Sequence, residues 1–356
     1  MHKKSLRCVA VLVTIIVFLL FYMSVDPIVV RKKGRPFFGI SHYKGTVKLL
    51  PYNASEKSTD LDAQGLPRQY DCRILVLVYN RAQSLLRLLE SLNKAEYFGD
   101  NVKLEVWIDR SDSGYIDEAT YEIAVGFRFL HGKYQVMCHE NHVGIYGQWL
   151  STWQPSVNSS EIAVFLEDDL TVSPFFYRYL KLVHKKYDKH PEVNGYALQG
   201  VSILHGYTKT PEMLKGPEDR KVFLYPVLGT WGFSPKKASW MRFLEWFSAI
   251  NMDMNFQPYV PQNVATDWYR SFQREGLAGG MWSIWHIYFA WKNNEYTLYS
   301  NFEGHLGLTA NWKEAGLHYK TKGGQPSNSL LTEWRPEYDS QPTFPKHFNI
   351  LGQQKD

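Results

Sequence analysis

The chain has 356 residues, 44% of them hydrophobic and 21% charged, a balance that excludes a disordered chain and leaves room for a membrane segment, a linker and one large domain. Its net charge of +5 is local: residues 1–35 hold seven Lys/Arg and one acid, and the remainder holds 33 bases against 34 acids. The bulk of the chain is near neutral, so the basic balance gives no support to nucleic-acid binding.

Cys8 to Val25 is an apolar run of 18 residues without a charge. At ~1.5 Å per residue it can cross a hydrocarbon layer of ~30 Å. It ends in Phe-Tyr-Met-Ser-Val-Asp-Pro, a poor cleavage site, which favours an uncleaved signal anchor over a cleaved signal peptide. Lys and Arg on both flanks leave the positive-inside rule undecided. The expected organisation is a short tail (1–7), a transmembrane anchor (8–25), a Gly- and Pro-containing stem (26–69), a catalytic domain (70–330) and a surface or disordered tail (331–356) that carries Pro336, Pro342 and Pro345. Asn53 and Asn158 head N-glycosylation sequons that a luminal domain could use. Only Cys72 and Cys138 lie beyond the anchor. They could pair in an oxidising lumen or stand as two separate core residues.

From Arg73 the pattern becomes regular. Ile-Leu-Val-Leu-Val-Tyr reads as a strand buried on both faces. Leu85, Leu89 and Leu92 then fall at helical spacing. Further strands are expected at 104–108, 134–138 and 162–166, with helices between them. That alternation predicts an α/β fold with a mostly parallel sheet flanked by helices. In such sheets ligands bind beyond the carboxyl ends of the strands, where Tyr79-Asn80-Arg81, Asp109 and Glu167-Asp168-Asp169 fall. Ser173-Pro174 reads as the cap and first position of a helix carrying Phe175, Phe176, Tyr179 and Leu180.

The acidic triplet is the strongest chemical signal. Three adjacent carboxylates after a buried strand repel one another unless a cation is present, and carboxylate oxygens are hard ligands suited to Mn²⁺ or Mg²⁺. The bland alternative is a solvated acidic turn. His139-Glu140-Asn141-His142 lacks the HExxH spacing and does not read as zinc. Trp282, Trp285, Tyr288 and Trp291 recur in three-residue steps, which suits a core-facing helix better than a sugar-stacking face. GxGxxG, P-loop and GxSxG motifs are absent, which removes the usual support for dehydrogenase, kinase and serine hydrolase readings.

Four motifs in order carry a family resemblance across residues 72–320. Glu167-Asp-Asp-Leu-Thr-Val-Ser-Pro174 resembles the degenerate DxD stretch of N-acetylglucosaminyltransferase I and related nucleotide-sugar transferases of the GT-A (Rossmann-like) fold. Leu224 to Phe233 (LYPVLGTWGF) is similar to their apolar Gly/Trp loop and to that of family-2-like glycosyltransferases. Thr266-Asp-Trp-Tyr-Arg270 resembles their Asp-Trp-x-Arg segment. Leu298-Tyr299, His305-Leu-Gly307 and Gly316-Leu-His318 are similar to the closing part of the bacterial relatives.

The resemblance implies a metal-dependent glycosyltransferase. It would move a sugar, N-acetylglucosamine first among the candidates, from a nucleoside-diphosphate donor (a UDP-sugar foremost) to a glycan or glycoconjugate acceptor. Asp169 would bind Mn²⁺ or Mg²⁺, with His318 as a second metal ligand or diphosphate contact. Glu167 and Asp168 would meet the ribose and donor sugar. Tyr79, Asn80 and Arg81 would face the nucleotide, Asp109 its base, and Trp231 the sugar pocket. Asp267 would be the general base of an inverting displacement. With the anchor, this implies a single-pass type II protein of the Golgi or endoplasmic-reticulum membrane with a luminal catalytic domain. Without the resemblance, Asp267 reads as a helix N-terminal charge, Asp109 as a turn residue and His318 as a surface or core histidine. Two other classes stand beside the enzyme: a non-catalytic, membrane-tethered carbohydrate-binding protein of the same fold, and an adhesion domain of short strands.

Overall fold

The computed structural model describes residues 68–200, 214–250, 256–316 and 325–355. The expected anchor and nearly all of the stem lie outside them, and among the described residues no helix is long and apolar enough to cross a membrane.

The chain opens with strand β1 (Cys72–Val78), helix α1 (Ala82–Asn93), β2 (Val102–Ile108), α2 (Glu118–Gly126), β3 (Gly132–Cys138) and α3 (Gly144–Ser151). It continues with β4 (Ile162–Glu167), β5 (Leu170–Val172), α4 (Phe176–Tyr187), β6 (Val193–Ala197), β7 (Phe223–Tyr225) and β8 (Phe233–Pro235). Then follow α5 (Lys237–Ile250), α6 (Val264–Arg274), α7 (Ser283–Lys292), β9 (Tyr296–Tyr299), β10 (Thr309–Asn311) and β11 (Lys346–His347). Nine strands form one sheet in the order β11-β7-β9-β6-β8-β4-β1-β2-β3, and β10 pairs with β5 in a small second sheet. The pairings set β1, β2, β3, β4, β6 and β9 in one direction and β7, β8 and β11 in the other. The expected mixed α/β architecture with a mostly parallel sheet is what the chain adopts.

Alternation along the central strands splits the core in two. Ile74, Val76, Leu104, Val106, Val164 and Leu166 face one way, against Leu85, Leu88, Leu89 and Leu92 of α1 and Phe176, Leu180 and Val183 of α4. Leu75, Leu77, Ala163 and Phe165 face the other, against Trp149 of α3, Trp240 and Phe243 of α5 and Ile284 and Trp285 of α7. The aromatic helix is thus mainly core. Trp282 and Trp285 are buried, and Trp291 is left exposed at 42%. Helix α4 begins two residues later than Ser173-Pro174 suggests; Ser173 Oγ accepts from Phe175 N–H at 3.1 Å and caps the turn ahead of it.

Two expectations are resolved by pairing. Cys72 aligns through Val102 with Gly132, while Cys138 stands at the far end of β3. Six residues of strand, ~20 Å at ~3.3 Å each, separate them along the sheet, far beyond the ~7 Å that a disulfide spans between α-carbons. Both thiols are free. The segment after 330 is not a separable tail. β11 pairs with β7, and Leu331, Tyr338 and Phe348 are buried in the same two cores. Its prolines cluster between short contacts, so the sequence shows no periodicity to reveal them.

Candidate active site

The carboxyl ends of β1, β2, β3 and β4 open onto one rim, and most of the expected site residues meet there. Glu167 closes β4, and Asp168 and Asp169 form the turn into β5. Glu167 accepts a hydrogen bond from Trp149 Nε1 at 2.9 Å. Asp168 Oδ1 accepts from Arg81 at 2.7 Å, and the same nitrogen lies 3.8 Å from Asp169 Oδ2. Arg81 leads into α1 from the end of β1, so the turn after β1 carries the cation of the triplet. Tyr79 and Asn80 beside it are exposed.

Asp169 is 7% exposed, and its Oδ1 has no hydrogen-bond partner among the described residues. A buried carboxylate oxygen without a donor is costly. Burial, the charge of Asp169 and then that of Asp168 push Glu167 up to about 8, against the bond from Trp149. Burial likewise pushes Asp168 up to about 7 despite Arg81. Asp169 is also raised, chiefly by burial, with Arg81 and Asn311 opposing and Glu314 adding to the rise. The rim is therefore short of positive charge.

Asp109 sits at the end of β2, as the sequence reading expects, but its carboxylate is taken. Oδ1 accepts from Arg110 N–H at 2.8 Å and Val143 N–H at 2.9 Å, and Oδ2 accepts from Gly144 N–H at 2.8 Å. It anchors the amino end of α3 and is 3% exposed, which leaves a structural role rather than a free acceptor for a base. His142 lies 3.0 Å from Asp109, and His139 Nε2 donates to Gln148 Oε1 at 3.0 Å; among the described residues neither belongs to a group that could hold a metal.

The Gly/Trp loop crosses the same rim. Val227 and Leu228 are buried, and Thr309 Oγ1 bonds to the carbonyl of the half-buried Trp231. Gly232, at φ +86°, occupies the left-handed region that glycine adopts without strain. Asp267 is in the first turn of α6, 52% exposed, and 4.0 Å from Arg270. His318 lies outside the described residues.

Sequence reasoning missed three members of the cluster. Glu314 is buried and paired to Arg87 of α1 at 2.7 Å, and Trp149 supplies the donor to Glu167. Arg87 lies among the leucines of α1 and Glu314 follows a short strand, so only the pairing of β10 with β5 brings them to the triplet. The β10–β5 pair and Trp312 N–H, which donates to the Asp169 carbonyl at 2.9 Å, hold this segment over the turn.

Among the described residues, no group of three His, Cys, Asp or Glu side chains is arranged to hold a metal by itself. The residues do fit a hard divalent cation held partly by a ligand: a buried carboxylate with a free oxygen, amid excess negative charge. A cavity of ≈ 550 Å³ opens at the opposite, amino-terminal end of the sheet. Several of its polar groups are already paired, Asp100 with Tyr177 and Lys181 and His184 with Asp188 and Ser234, and the acidic triplet with its unpaired Asp169 oxygen makes the rim the better chemical candidate.

No family model matches the sequence, and no curated protein does. Among solved structures, the fold is similar to S. aureus TarS 1–349 (12% identity over 65% of this chain and 58% of that one, TM-score 0.38). It is also similar to the same protein in complex with UDP-GlcNAc (10%, 76% and 60%, TM-score 0.35). A third is the mannosyltransferase PcManGT from Pyrobaculum calidifontis in complex with GDP-Man and Mn²⁺ (14%, 56% and 51%, TM-score 0.34). The chain spans between about half and three fifths of the length of these structures.

Proposed function

We propose that this chain is a glycosyltransferase that takes a sugar from a nucleoside-diphosphate donor with the help of Mn²⁺ or Mg²⁺. The observation that carries the reading is Asp169: a buried carboxylate at the carboxyl rim of a mostly parallel sheet, with one oxygen unpaired among the described residues. Asp169 would hold the ion together with the donor's phosphates, and the ion would neutralise charge developing on the diphosphate as it leaves. Arg81 supplies the fixed positive charge of the site and holds Asp168 in place. Glu167 and Asp168 are set to meet the donor's hydroxyl groups, and Trp231 to form one wall for the sugar.

Asp267 is the proposed base for the acceptor hydroxyl. Its exposure at the start of α6 suits an incoming acceptor, and an ordinary carboxylate suffices once the acceptor is positioned. The resemblance of the motifs makes UDP-N-acetylglucosamine the first donor to test and an inverted product the expected outcome. The apolar run 8–25 supports a type II anchor in the Golgi or endoplasmic-reticulum membrane. Asn158, exposed before β4, then becomes a reporter: glycan on Asn158 would place the domain in the lumen.

The test is release of UDP or GDP by the purified full-length chain from UDP- and GDP-sugars, and of CMP from CMP-sugars as the monophosphate control, with Mn²⁺ or with EDTA. Metal-dependent release from one donor, lost in Asp169→Asn, is expected. Asp267→Asn should keep donor binding and lose transfer to an acceptor. Binding of no nucleotide by the wild-type protein would overturn the reading in favour of a non-catalytic carbohydrate-binding protein.

A further inference from the structure

Trp231 is held by its backbone from two sides. Its N–H donates to Gln199 Oε1 at 3.3 Å, and its carbonyl accepts from Thr309 Oγ1. Gln199 stands two residues beyond the carboxyl end of β6, Thr309 opens β10, and the two bridge each other in parallel. The neighbouring residues are tied in the same way. Leu198 N–H donates to the Gly232 carbonyl at 2.9 Å, and the Leu198 carbonyl accepts from Thr309 N–H at 3.0 Å. Thr309 is fully buried, and a Cβ on Gly232 would fall 2.7 Å from its methyl group. The Trp231 side chain, by contrast, is only partly buried where it packs against the core.

The same strand reaches the acidic turn. β10 pairs with β5 from Thr309 opposite Val172 to Asn311 opposite Leu170, and Trp312 N–H donates to the Asp169 carbonyl at 2.9 Å. Thr309 and Asn311 are two residue steps apart, ~7 Å along a strand. One short strand therefore fixes both the Trp231 loop and the backbone of Asp169. Satisfying buried backbone groups accounts for the bonds of Leu198 and Gly232. It does not by itself call for side chains from two distant segments, on both polar groups of the one residue whose ring stays partly open.

We propose that Thr309 and Gln199 are positioning residues for the donor sugar: through the backbone of Trp231 they set its ring at a fixed separation from Asp169. The inference rests on the reading of Trp231 as a wall of the sugar pocket. Both residues act through Trp231, so their effect falls on the sugar of the donor and not on its nucleoside diphosphate.

Calorimetric titration of the full-length chain in Mn²⁺ tests it, with UDP and UDP-N-acetylglucosamine and with GDP and GDP-mannose. The readout is the dissociation constant of the nucleotide sugar divided by that of its free nucleotide, for the pair that the wild type binds. Thr309→Val keeps the branched shape and loses the hydroxyl. It should raise the ratio about threefold to tenfold, the effect of one lost hydrogen bond, and leave the constant for the free nucleotide unchanged. Thr309→Ser should restore the wild-type ratio, and Trp231→Ala should raise it at least as far as Thr309→Val. An unchanged ratio in a Thr309→Val protein that melts as cooperatively as wild type would overturn the positioning role and leave the transferase reading standing. Should Thr309→Val fail to fold, Gln199→Met decides on the same ratio: a rise supports the proposal, and no change overturns it. A ratio unmoved in Trp231→Ala would overturn the sugar wall and this inference with it. Binding of no nucleotide by the wild-type chain would overturn the function beneath both.

Discussion

Replacing Asp169 by Asn should make the metal-free protein more stable at pH 8 and remove its response to Mn²⁺. Burial, opposed only in part by Arg81 at 3.8 Å, holds the Asp169 carboxyl above its ordinary range. After burial, the charge of Asp169 is the largest influence pushing Glu167 up to about 8. A carboxyl raised on folding binds its proton more tightly in the folded state, so stability falls as pH climbs from the ordinary carboxylate range of ~4 towards 8. Each unit of rise corresponds to about 1.4 kcal/mol held against the ionised form. Asn cannot ionise, so its benefit should already be present at pH 5 and grow towards pH 8, by no more than the about 4 kcal/mol that a rise of Glu167 to about 8 stores over those three pH units. Mn²⁺ at 100 times its dissociation constant would add about 2.7 kcal/mol to the wild type alone and shift the ranking towards it. Differential scanning calorimetry at both pH values, in EDTA and in Mn²⁺, reads all four cases. An Asn variant less stable than wild type at pH 8 in EDTA, or a gain equal at pH 5 and 8, would refute the claim that the triplet stores electrostatic strain.

Three further outcomes follow from other groups. His286 has both ring nitrogens buried without partners among the described residues, beside Phe233, Trp240 and Phe243, and burial pushes it down to about 3. The unfolded chain takes up that proton below ~6.5, so stability is lost as pH falls, about 2 kcal/mol by pH 5. His286→Phe should lose that much less between pH 7.5 and pH 5 in guanidinium titrations, and equal losses would refute the assignment. Arg81→Met should destabilise by about 2–4 kcal/mol at pH 8 and by less at pH 5, where Asp168, raised to about 7, is protonated. Urea midpoints at the two pH values check this, and the same loss at both would show that Arg81 acts by packing alone. Cys72 and Cys138 should both alkylate in denaturant without reductant, and a peptide pair linked through them in mass spectrometry would contradict the strand register.

The parallel half of the sheet was legible because strands buried on both faces leave continuous apolar runs. Cys72–Val78 and Ile162–Glu167 are such runs, and α1 shows its leucines at core spacing. The acidic triplet was legible for the same reason: a strand that ends in three carboxylates announces both the rim and its chemistry. The other half gave little signal. β7, β8 and β10 are three residues each and β11 is two, too short for any period, and their places come from partners far along the chain. That difference explains the uneven reading of the site. Residues next to long strands, Arg81 and Asp168 among them, could be placed from sequence. Asp109 looked like a ligand contact because a strand-end Asp has two uses, and only the N–H groups of Val143 and Gly144 show which one it serves.

Glu314 was invisible for a deeper reason. Its burial is supported by Arg87, 227 positions away, and by a strand pair that inverts direction across the rim. A carboxylate on a short loop reads as solvated by default. Here the fold brings it into an already crowded acidic cluster, at a place where the local sequence carries no apolar pattern to demand burial. A residue that raises electrostatic cost without improving packing is placed by tertiary pairing alone, and no local pattern in the sequence encodes such a pairing.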